Sequence, residues 1–277
     1  MVDKMILLPL DSSKISLNAV LPAKSLAYLL GLPVAILYVS DEELDREEVM
    51  RKTGVKKDDF PRLVIHHKSG NPSRLIVEEA ESAAYIVMST HGMGYDTKKI
   101  TGSNALYVIE HTDTPVILIK PDLEFNAENH LLEIKRVLIP LNGSIEAAQS
   151  LEPAMEIILK TGADVDILHI FTEEAYEKTN GEIMKAPYYE DHAHYEWKSW
   201  KKEFLKRFCL PFREKIEINF EMKYGNPGDE IVNFALKYQD DLIVLAWSGK
   251  LNPPRAATIR KIISKSRCPV LLTKIKP

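Results

Sequence analysis

The chain has 277 residues, 45% of them hydrophobic and 27% charged, with a formal charge of −4 at neutral pH. It exceeds a typical single domain of about 100–200 residues and suits two, and its composition excludes disordered and fibrous classes. The balanced charge shows no strongly basic surface for nucleic acid. Two cysteines, Cys209 and Cys268, make no disulfide framework, so we expect a reducing compartment.

The sequence also shows no signal for secretion or membrane insertion. The first residues lack the apolar core and the small-residue cleavage site of a secretory signal. The longest apolar stretch, 25–39, is interrupted by Gly31 and Pro33 and is shorter than the roughly 20 residues that cross a bilayer. We therefore expect a cytoplasmic protein with no membrane or nucleic-acid partner.

The first half of the chain alternates predicted strands and helices. Continuous apolar runs predict buried strands at 5–10, 34–39, 62–67, 84–89 and 115–120. Apolar spacing and charge predict helices at 16–30, 41–52, 72–81 and 103–111. This order predicts a parallel sheet with helices on both faces, a doubly wound α/β fold. Ligands of such folds bind at the carboxyl ends of strands, near the point where the strand order reverses.

The second half repeats landmarks of the first in the same order, which indicates a duplication. The matched landmarks are Pro9 with Pro140, Gly70-Asn71-Pro72 with Gly225-Asn226-Pro227, and Pro115 with Pro269. Between them the shift grows from 131 to 155 residues, so the second copy carries about 24 extra residues in its middle. Its predicted strands are 136–141, 164–171, 217–223, 241–247 and 269–274, and its helices are 144–160, 227–238 and 256–264.

The repeat therefore predicts two tandem domains, each a five-stranded parallel sheet flanked by helices. We place the first domain at 1–122, a polar linker at 123–133 and the second domain at 134–277, with an insertion at about 172–210. The final strand of each copy is a predicted sheet edge, and an exposed apolar edge invites pairing.

The loop after the fourth strand has the features of a phosphate site. Gly92 and Gly102 let backbone N–H groups approach an anion closely. The N terminus of the helix that follows offers unpaired donors and the positive end of a dipole. Ser103 adds a hydroxyl, and Lys98 and Lys99 could balance charge. This spacing favours an anionic ligand, although glycines in such a loop can also serve only as turn residues.

Asp11, at the end of the first strand, adds an acceptor to this predicted site. A carboxylate there could accept a hydrogen bond from a nucleobase or a ribose. Aspartate is also common as the N-cap of a helix, so Asp11 could cap the first helix instead. The two roles are compatible.

These residues resemble the universal stress protein family, and the duplication resembles its tandem members. The resemblance rests on Met88-Ser-Thr-His-Gly-Met-Gly, followed by Gly102-Ser103 and by Pro115-Val-Ile-Leu-Ile. Family members that bind ATP carry a G-x2-G-x9-G-[S/T] motif, which here becomes Ser89-x2-Gly92-x9-Gly102-Ser103, with Ser89 in place of the first glycine.

The resemblance implies a universal stress protein-like domain of the adenine nucleotide α hydrolase type, with ATP or a related adenine nucleotide as ligand. It allows Mg to accompany the nucleotide, and it implies a role in stress response. It places Asp11 on the adenosine side and Val39 in the adenine pocket. The implied binding residues are Pro9, Asp11, Val39, Met88, Ser89, His91, Gly92, Gly102 and Ser103. In this family the final strands pair between domains, which implies a pseudo-dimer within the chain, with a homodimer also open.

The second copy departs from this motif, and we predict that its site is degenerate. It keeps one glycine, Gly249, in a loop that is three residues shorter. Ala256-Ala257 replaces the glycine–serine pair, Asn142 replaces the aspartate, and two prolines at 253–254 lack backbone N–H groups.

Other functions have weaker support in the sequence. No Ser-His-Asp or paired-carboxylate arrangement is evident, so we expect a regulatory protein rather than an enzyme, with slow ATP hydrolysis left open. His192 and His194 lack a complete ligand set, so no metal site is expected. The main alternative is an interaction or scaffold protein of the same fold that no longer binds nucleotide. A nucleotidyltransferase is a weaker alternative, because the chain lacks the HxGH or SGGxDS signature after its first strand.

Overall fold

The structure, a computed structural model, describes residues 4–92, 101–125, 127–128, 131–141, 147, 151–171, 218–249 and 255–275. The predicted insertion at 172–210 and several predicted loop residues lie outside these ranges. The loop residues concerned are Lys98, Lys99, Asn142, Pro253 and Pro254. Within the described ranges, the helices are too short or too polar to cross a membrane.

The first half forms five strands separated by helices, in the predicted order. The strands are β1 (Met5–Leu10), β2 (Val34–Val39), β3 (Leu63–Lys68), β4 (Ala83–Ser89) and β5 (Val116–Ile119). The helices are α1 (Val20–Leu30), α2 (Arg46–Thr53), α3 (Pro72–Ala80) and α4 (Ser103–His111). Short 3-10 helices precede α1 at Ser16–Ala19 and follow α2 at Lys57–Asp59.

The second half repeats this arrangement after a short hairpin. The hairpin strands are β6 (Ala127–Glu128) and β7 (Leu131–Leu132). The domain strands are β8 (Arg136–Pro140), β9 (Asp164–Phe171), β10 (Ile218–Tyr224), β11 (Leu242–Trp247) and β12 (Val270–Lys274). The helices are α5 (Glu152–Thr161), α6 (Pro227–Tyr238) and α7 (Arg255–Lys265).

The two sets of five parallel strands join into one ten-stranded sheet. Its order is β10-β9-β8-β11-β12-β5-β4-β1-β2-β3. The final strands β5 and β12 pair antiparallel, with Ile117 opposite Leu271. The sequence predicted two sheets of five strands, and the structure merges them because each final strand offers the other an unpaired apolar edge. The predicted pairing of the final strands is thus present within one chain.

Both faces of this sheet are buried, which explains the continuous apolar strands. In β1, Ile6 and Leu8 pack on the face covered by α1 and α5, while Leu7 packs on the face covered by α3 and α4. All three side chains are at most 1% exposed. Such double burial is typical of parallel sheets in α/β folds.

Local sequence signals set the limits of several helices. Asp45 accepts from the backbone N–H of Glu48, whose own side chain accepts from the Asp45 N–H, so a capping box begins α2.

The segment between the domains is less simple than a polar linker, since it contains the β6–β7 hairpin. The N–H of Leu132 in this hairpin donates to Ser25 Oγ on α1 at 2.7 Å.

Candidate functional site

A cleft of about 270 Å³ opens at the carboxyl ends of β1 and β4, where the strand order of the first domain reverses. All of the sequence-predicted binding residues line it, namely Pro9, Asp11, Val39, Met88, Ser89, His91, Gly92, Gly102 and Ser103. The structure therefore brings together residues that are up to 94 positions apart in the chain.

Asp11 follows β1 and forms a tight turn with the residues after it. Its Oδ1 accepts hydrogen bonds from the N–H of Ser13 at 3.1 Å and from the Ser13 hydroxyl at 2.5 Å. Its Oδ2 lies against Gly92, where an added Cβ would stand only 2.3 Å away. Asp11 therefore caps a turn rather than the first helix, whose N-cap makes no side-chain hydrogen bond. The turn holds the carboxylate at the mouth of the cleft.

The loop after Asp11 is fixed by a contact to the neighbouring strand. Ser12 has a φ of 64°, in the left-handed region that non-glycine residues adopt rarely. Its Oγ lies 2.7 Å from the hydroxyl of Tyr38 on β2, within hydrogen-bond distance. This contact holds the ends of β1 and β2 together beside the cleft.

The inner wall of the cleft is apolar. Leu37 is fully buried, and Val39 is half-buried at the end of β2. Ile76 on α3 adds a second buried side chain to the wall. Leu37 and Ile76 are absent from the sequence prediction. Leu37 could have been found by the alternation along β2, because it lies two residues before Val39 and so shares its face.

The loop between Thr90 and Gly102 starts and ends at the same point of the sheet. The N–H of Thr90 donates to the carbonyl of Ile119 at 2.8 Å, and the N–H of Gly102 donates to the carbonyl of Thr90 at 2.7 Å. A Cβ on Gly102 would lie 3.2 Å from that carbonyl oxygen and 3.5 Å from the His91 Cα. The close approach of two backbone segments therefore leaves little room for a side chain at 102 and favours glycine there.

Helix α4 begins directly after Gly102, which is its N-cap residue. Gly102 has no side chain, and no side-chain hydrogen bond caps this end of the helix in the described structure. Ser103 and Asn104 at the first turn are exposed, and both line the cleft. An uncapped helix start with its free N–H groups and positive dipole end suits an anion.

Ser89 replaces the first glycine of the motif without blocking the cleft. It is the last residue of β4, so its backbone is extended and needs no left-handed conformation. Its Oγ accepts from the N–H of His91 at 3.4 Å, a long contact that helps to fix the start of the loop. The substitution therefore gives a polar side chain at the floor of the site.

The described residues contain no cluster of three or more His, Cys, Asp or Glu side chains that could hold a metal ion. The adjacent pair His66 and His67 illustrates why. His66 Nδ1 lies 2.7 Å from Glu79 Oε2, while His67 Nε2 lies 2.9 Å from the hydroxyl of Ser40. The two rings diverge to opposite faces of β3, as strand geometry requires.

The second domain differs at the matching place. Gly249 follows β11 as Gly92 follows β4, but an added Cβ on Gly249 would meet Lys274 Cε at 2.4 Å. The Lys274 ammonium reaches Asp113 of the first domain at 2.7 Å. Ala256 is the counterpart of Gly102, and its side chain is buried. It lies within α7, which already begins at Arg255, whereas Gly102 precedes α4. Where the first domain has an open cleft and a glycine before its helix, the second domain has the Lys274 side chain and a longer helix.

Comparison with known proteins gives a consistent result for both halves. The sequence pattern of the Universal stress protein family matches residues 4–120 and again residues 133–274. Universal stress protein MJ0531 of Methanocaldococcus jannaschii is 27% identical over 151 residues, which are 50% of this chain and 82% of that protein.

Solved structures resemble the whole chain or half of it. A universal stress protein from Archaeoglobus fulgidus has a TM-score of 0.69 and 19% identity, covering 99% of this chain and 97% of its own. A universal stress protein solved in complex with cAMP covers 52% of this chain and 99% of its own, with 16% identity and a TM-score of 0.38.

Proposed function

This chain belongs to the universal stress protein family through both of its halves, and from that premise we propose that its N-terminal domain binds ATP or a related adenine nucleotide. In this proposal the protein acts in stress response, as a cytoplasmic regulator rather than as an enzyme. The observation that carries the proposal is the single cleft that gathers every residue predicted to contact the nucleotide.

The glycine end of the cleft suits the phosphates. Gly102 packs against backbone, so no side chain shields the start of α4. Phosphate oxygens placed there would accept hydrogen bonds from the first-turn N–H groups and from the exposed Ser103 hydroxyl. A carboxylate introduced at 102 would repel the same phosphates.

The opposite end of the cleft suits a nucleoside. Leu37, Val39 and Ile76 supply an apolar wall against which a base can pack. Asp11 lies at the mouth, with its carboxylate fixed by Ser13, and would accept hydrogen bonds from ribose hydroxyls. The cleft thus offers an apolar wall for the base, a carboxylate for the ribose hydroxyls and an anion site for the phosphates. Base, ribose and phosphates follow one another in this order in a nucleotide. Mg would enter as a companion of the phosphates, because the described residues supply no complete metal site.

The direct test is to purify the native protein, denature it and run the released material on anion-exchange chromatography. We expect an adenine nucleotide to be released, or calorimetry of nucleotide-free protein to detect ATP, ADP or AMP. Gly102→Asp should abolish binding, whereas Ala257→Asp, at the exposed first-turn position of α7, should leave it unchanged. Wild-type protein that binds no adenine nucleotide at millimolar concentration would overturn the proposal.

A second candidate is a scaffold protein of the same fold that has lost nucleotide binding. The observation that favours it is the altered cleft of the second domain, where Lys274 lies against Gly249. If the scaffold function is correct, Gly102→Asp will leave partner binding and stability unchanged, and wild type will release no nucleotide. Product formation from ATP over hours, with Asp11→Ala as the control, separates slow hydrolysis from binding alone.

A further inference from the structure

A buried tryptophan lies at the carboxyl end of β11 in the second domain. Trp247 is 4% exposed and belongs to the same apolar cluster as Leu245 and as Ile231 of α6. Ala246, between Leu245 and Trp247, packs on the other face of the sheet. Because side chains alternate along a strand, Leu245 and Trp247 share the face that α6 and α7 cover. The indole of Trp247 therefore fills space on this face of the sheet.

Trp247 takes the place of a small polar residue of the first cleft. The final strand of each domain sets the match, because it directly follows the repeated proline. The opposite pairs are Ile86 with Val116 in the first domain and Ile243 with Val270 in the second. Counting four residues onward from Ile86 and Ile243 gives Thr90 and Trp247. Thr90 is 1% exposed and lines the nucleotide cleft.

The apolar wall of the first cleft has a close counterpart in the second domain. The matched positions are Leu37 with Leu168, Val39 with Ile170, and Ile76 with Ile231. Leu168 and Ile231 are buried in the cluster that contains Trp247, and Ile170 packs against this cluster. The second domain therefore keeps the wall of a cleft and adds a large aromatic ring to it.

A second cleft position has also gained bulk. Ala105 on α4 lines the first cleft, three residues after Gly102. Ile259 stands three residues after Ala256, the counterpart of Gly102, and packs against the same cluster as Trp247. Two large apolar side chains thus stand where the first cleft has threonine and alanine. Because protein interiors are close-packed, such side chains take up the space that a cleft needs.

We propose that Trp247, with Ile259, fills the second cleft as a bound ring would and so restricts nucleotide binding to the first domain. Trp247 is then a specificity-determining residue that acts by steric exclusion. Indole is a fused pair of rings, as is the purine of adenine, so the side chain takes up space in the manner of a base. The filling rests on the packing of the second domain, whereas its effect on nucleotide binding rests on the proposed function.

Removal of the indole tests the filling, with free indole as the probe. Trp247→Ala should lower the unfolding temperature and create an apolar void, and such voids bind small aromatic molecules. Calorimetry of the full chain should find a saturable indole site that wild type lacks. Indole should also raise the unfolding temperature of the variant more than that of wild type.

Phe220→Ala is the matched control, because Phe220 is a buried aromatic residue on the opposite face of the same sheet. It leaves a smaller void and should gain no indole site. A folded Trp247→Ala variant without a new indole site would overturn the filling, as would an equal gain in Phe220→Ala. Should Trp247→Ala fail to fold, Trp247→Leu leaves a smaller void, and benzene replaces indole as the probe.

The reciprocal change tests the effect on nucleotide binding. Thr90→Trp places the same ring in the first cleft, and Ala105→Ile is a smaller change at the second matched position. Each should weaken ADP binding about tenfold in calorimetry, whereas Ile259→Ala in the second domain should leave it unchanged.

The filled cleft and the nucleotide site fail in different ways. Wild type that binds no ADP would overturn the proposed nucleotide site, while a new indole site in Trp247→Ala would still support the filled second cleft. ADP binding that survives unchanged in folded Thr90→Trp and Ala105→Ile would overturn the steric exclusion and leave the nucleotide site in place.

Discussion

The two domains share one strand order but differ in what they bury at the amino ends of three strands. In the first domain the positions on β1, β2 and β4 hold Met5, Ala35 and Ala83, and Met5 lies opposite Ala83 in the sheet. Ala35 is fully buried, and Ala83 is 8% exposed. This end of the first domain is therefore closed by apolar side chains.

The matching positions of the second domain hold three charged residues, Arg136, Asp166 and Asp240. Arg136 Nη2 donates to Asp166 Oδ2, and Arg136 Nε lies 3.9 Å from Asp240 Oδ1. Both aspartates are buried, and the Asp240 oxygens have no hydrogen-bond donor within the described residues. The same backbone thus carries three apolar residues in one copy and three charged residues in the other, so we expect the fold to form without the ionic group.

The two domains also differ at the opposite, carboxyl ends of the strands. There the first domain has the open cleft beside Asp11, while the second has Lys274 packed on Gly249. The comparison teaches that the apolar core carries the fold in both copies, and that the two copies differ in a few residues at the strand ends, where the proposed difference in function lies. The predictions below compare matching positions of the two copies.

The largest expected effect comes from breaking the ionic group of three in the second domain. Arg136→Met should lower the free energy of unfolding by about 3 kcal/mol, because two buried carboxylates lose the cation that lies beside both of them in the described structure. The triple variant Arg136→Met, Asp166→Ala, Asp240→Ala, which copies the first domain, should recover to within about 1 kcal/mol of wild type or exceed it. Urea unfolding measures both. A triple variant no more stable than the single one would show that the ionic group is needed.

A pH series sharpens the same comparison. Burial, together with the neighbouring carboxylate of Asp166, raises the pKa of Asp240 to about 7 from 3.8. Because the pKa of Asp240 is higher in the folded than in the unfolded protein, binding of a proton to Asp240 stabilises the fold. This stabilisation is complete below about pH 4 and is lost as the pH rises to about 7. Asp240→Asn should therefore match wild type near pH 4 and be about 2–3 kcal/mol more stable at pH 8. If the unfolding temperatures of wild type and Asp240→Asn differ by the same amount at every pH in this range, the assigned cause is wrong.

Matched glycine substitutions test the division of function between the domains. Gly249→Ala should cost about 1–2 kcal/mol of stability, because φ at this position is 77° and the new Cβ meets the Lys274 side chain. Gly92→Ala should instead displace the Asp11 carboxylate and weaken nucleotide binding about tenfold. Calorimetry with ADP and urea unfolding should be run on both. The proposed division is wrong if Gly249→Ala is the variant that weakens nucleotide binding.

The smallest expected effect concerns a hydrogen bond between the domains. The Tyr85 hydroxyl donates to the carbonyl of Pro153 at 2.8 Å, and burial raises the pKa of Tyr85, which keeps the hydroxyl protonated. Tyr85→Phe should lower the free energy of unfolding by about 1 kcal/mol. The matching position of the second domain is Leu242, whose substitution to Met supplies a control without a polar group. Equal effects of the two substitutions would mean that the hydroxyl contributes nothing.

Much of the fold could be predicted from the sequence, because alternating apolar runs and the repeat each constrain it. Helix α4 begins and ends where the apolar spacing predicted, at Ser103 and His111. The β6–β7 hairpin was missed, because two-residue strands such as Leu131–Leu132 carry no periodic signal. The start of α1 was also imprecise, since its first turn is a 3-10 helix at Ser16–Ala19.

The candidate site could be predicted from loop spacing and family resemblance, but its geometry could not. Nothing in the sequence shows that Asp11 binds Ser13 or that its carboxylate lies against Gly92, since both depend on how the loops close. The ionic group of the second domain was missed for a similar reason. Arg136 and Asp166 are 30 residues apart and meet only because β8 and β9 are neighbours. Aligning the repeats position by position would have shown a charged residue in place of Met5.

The most direct test of the central claim is the number of nucleotide sites in one chain. Calorimetric titration of nucleotide-free protein with ADP or ATP should give one site per chain. Gly102→Asp should remove it, and Ala257→Asp should leave it in place. Two sites of similar affinity, or a site that survives Gly102→Asp, would contradict the account in which only the first domain keeps a working cleft.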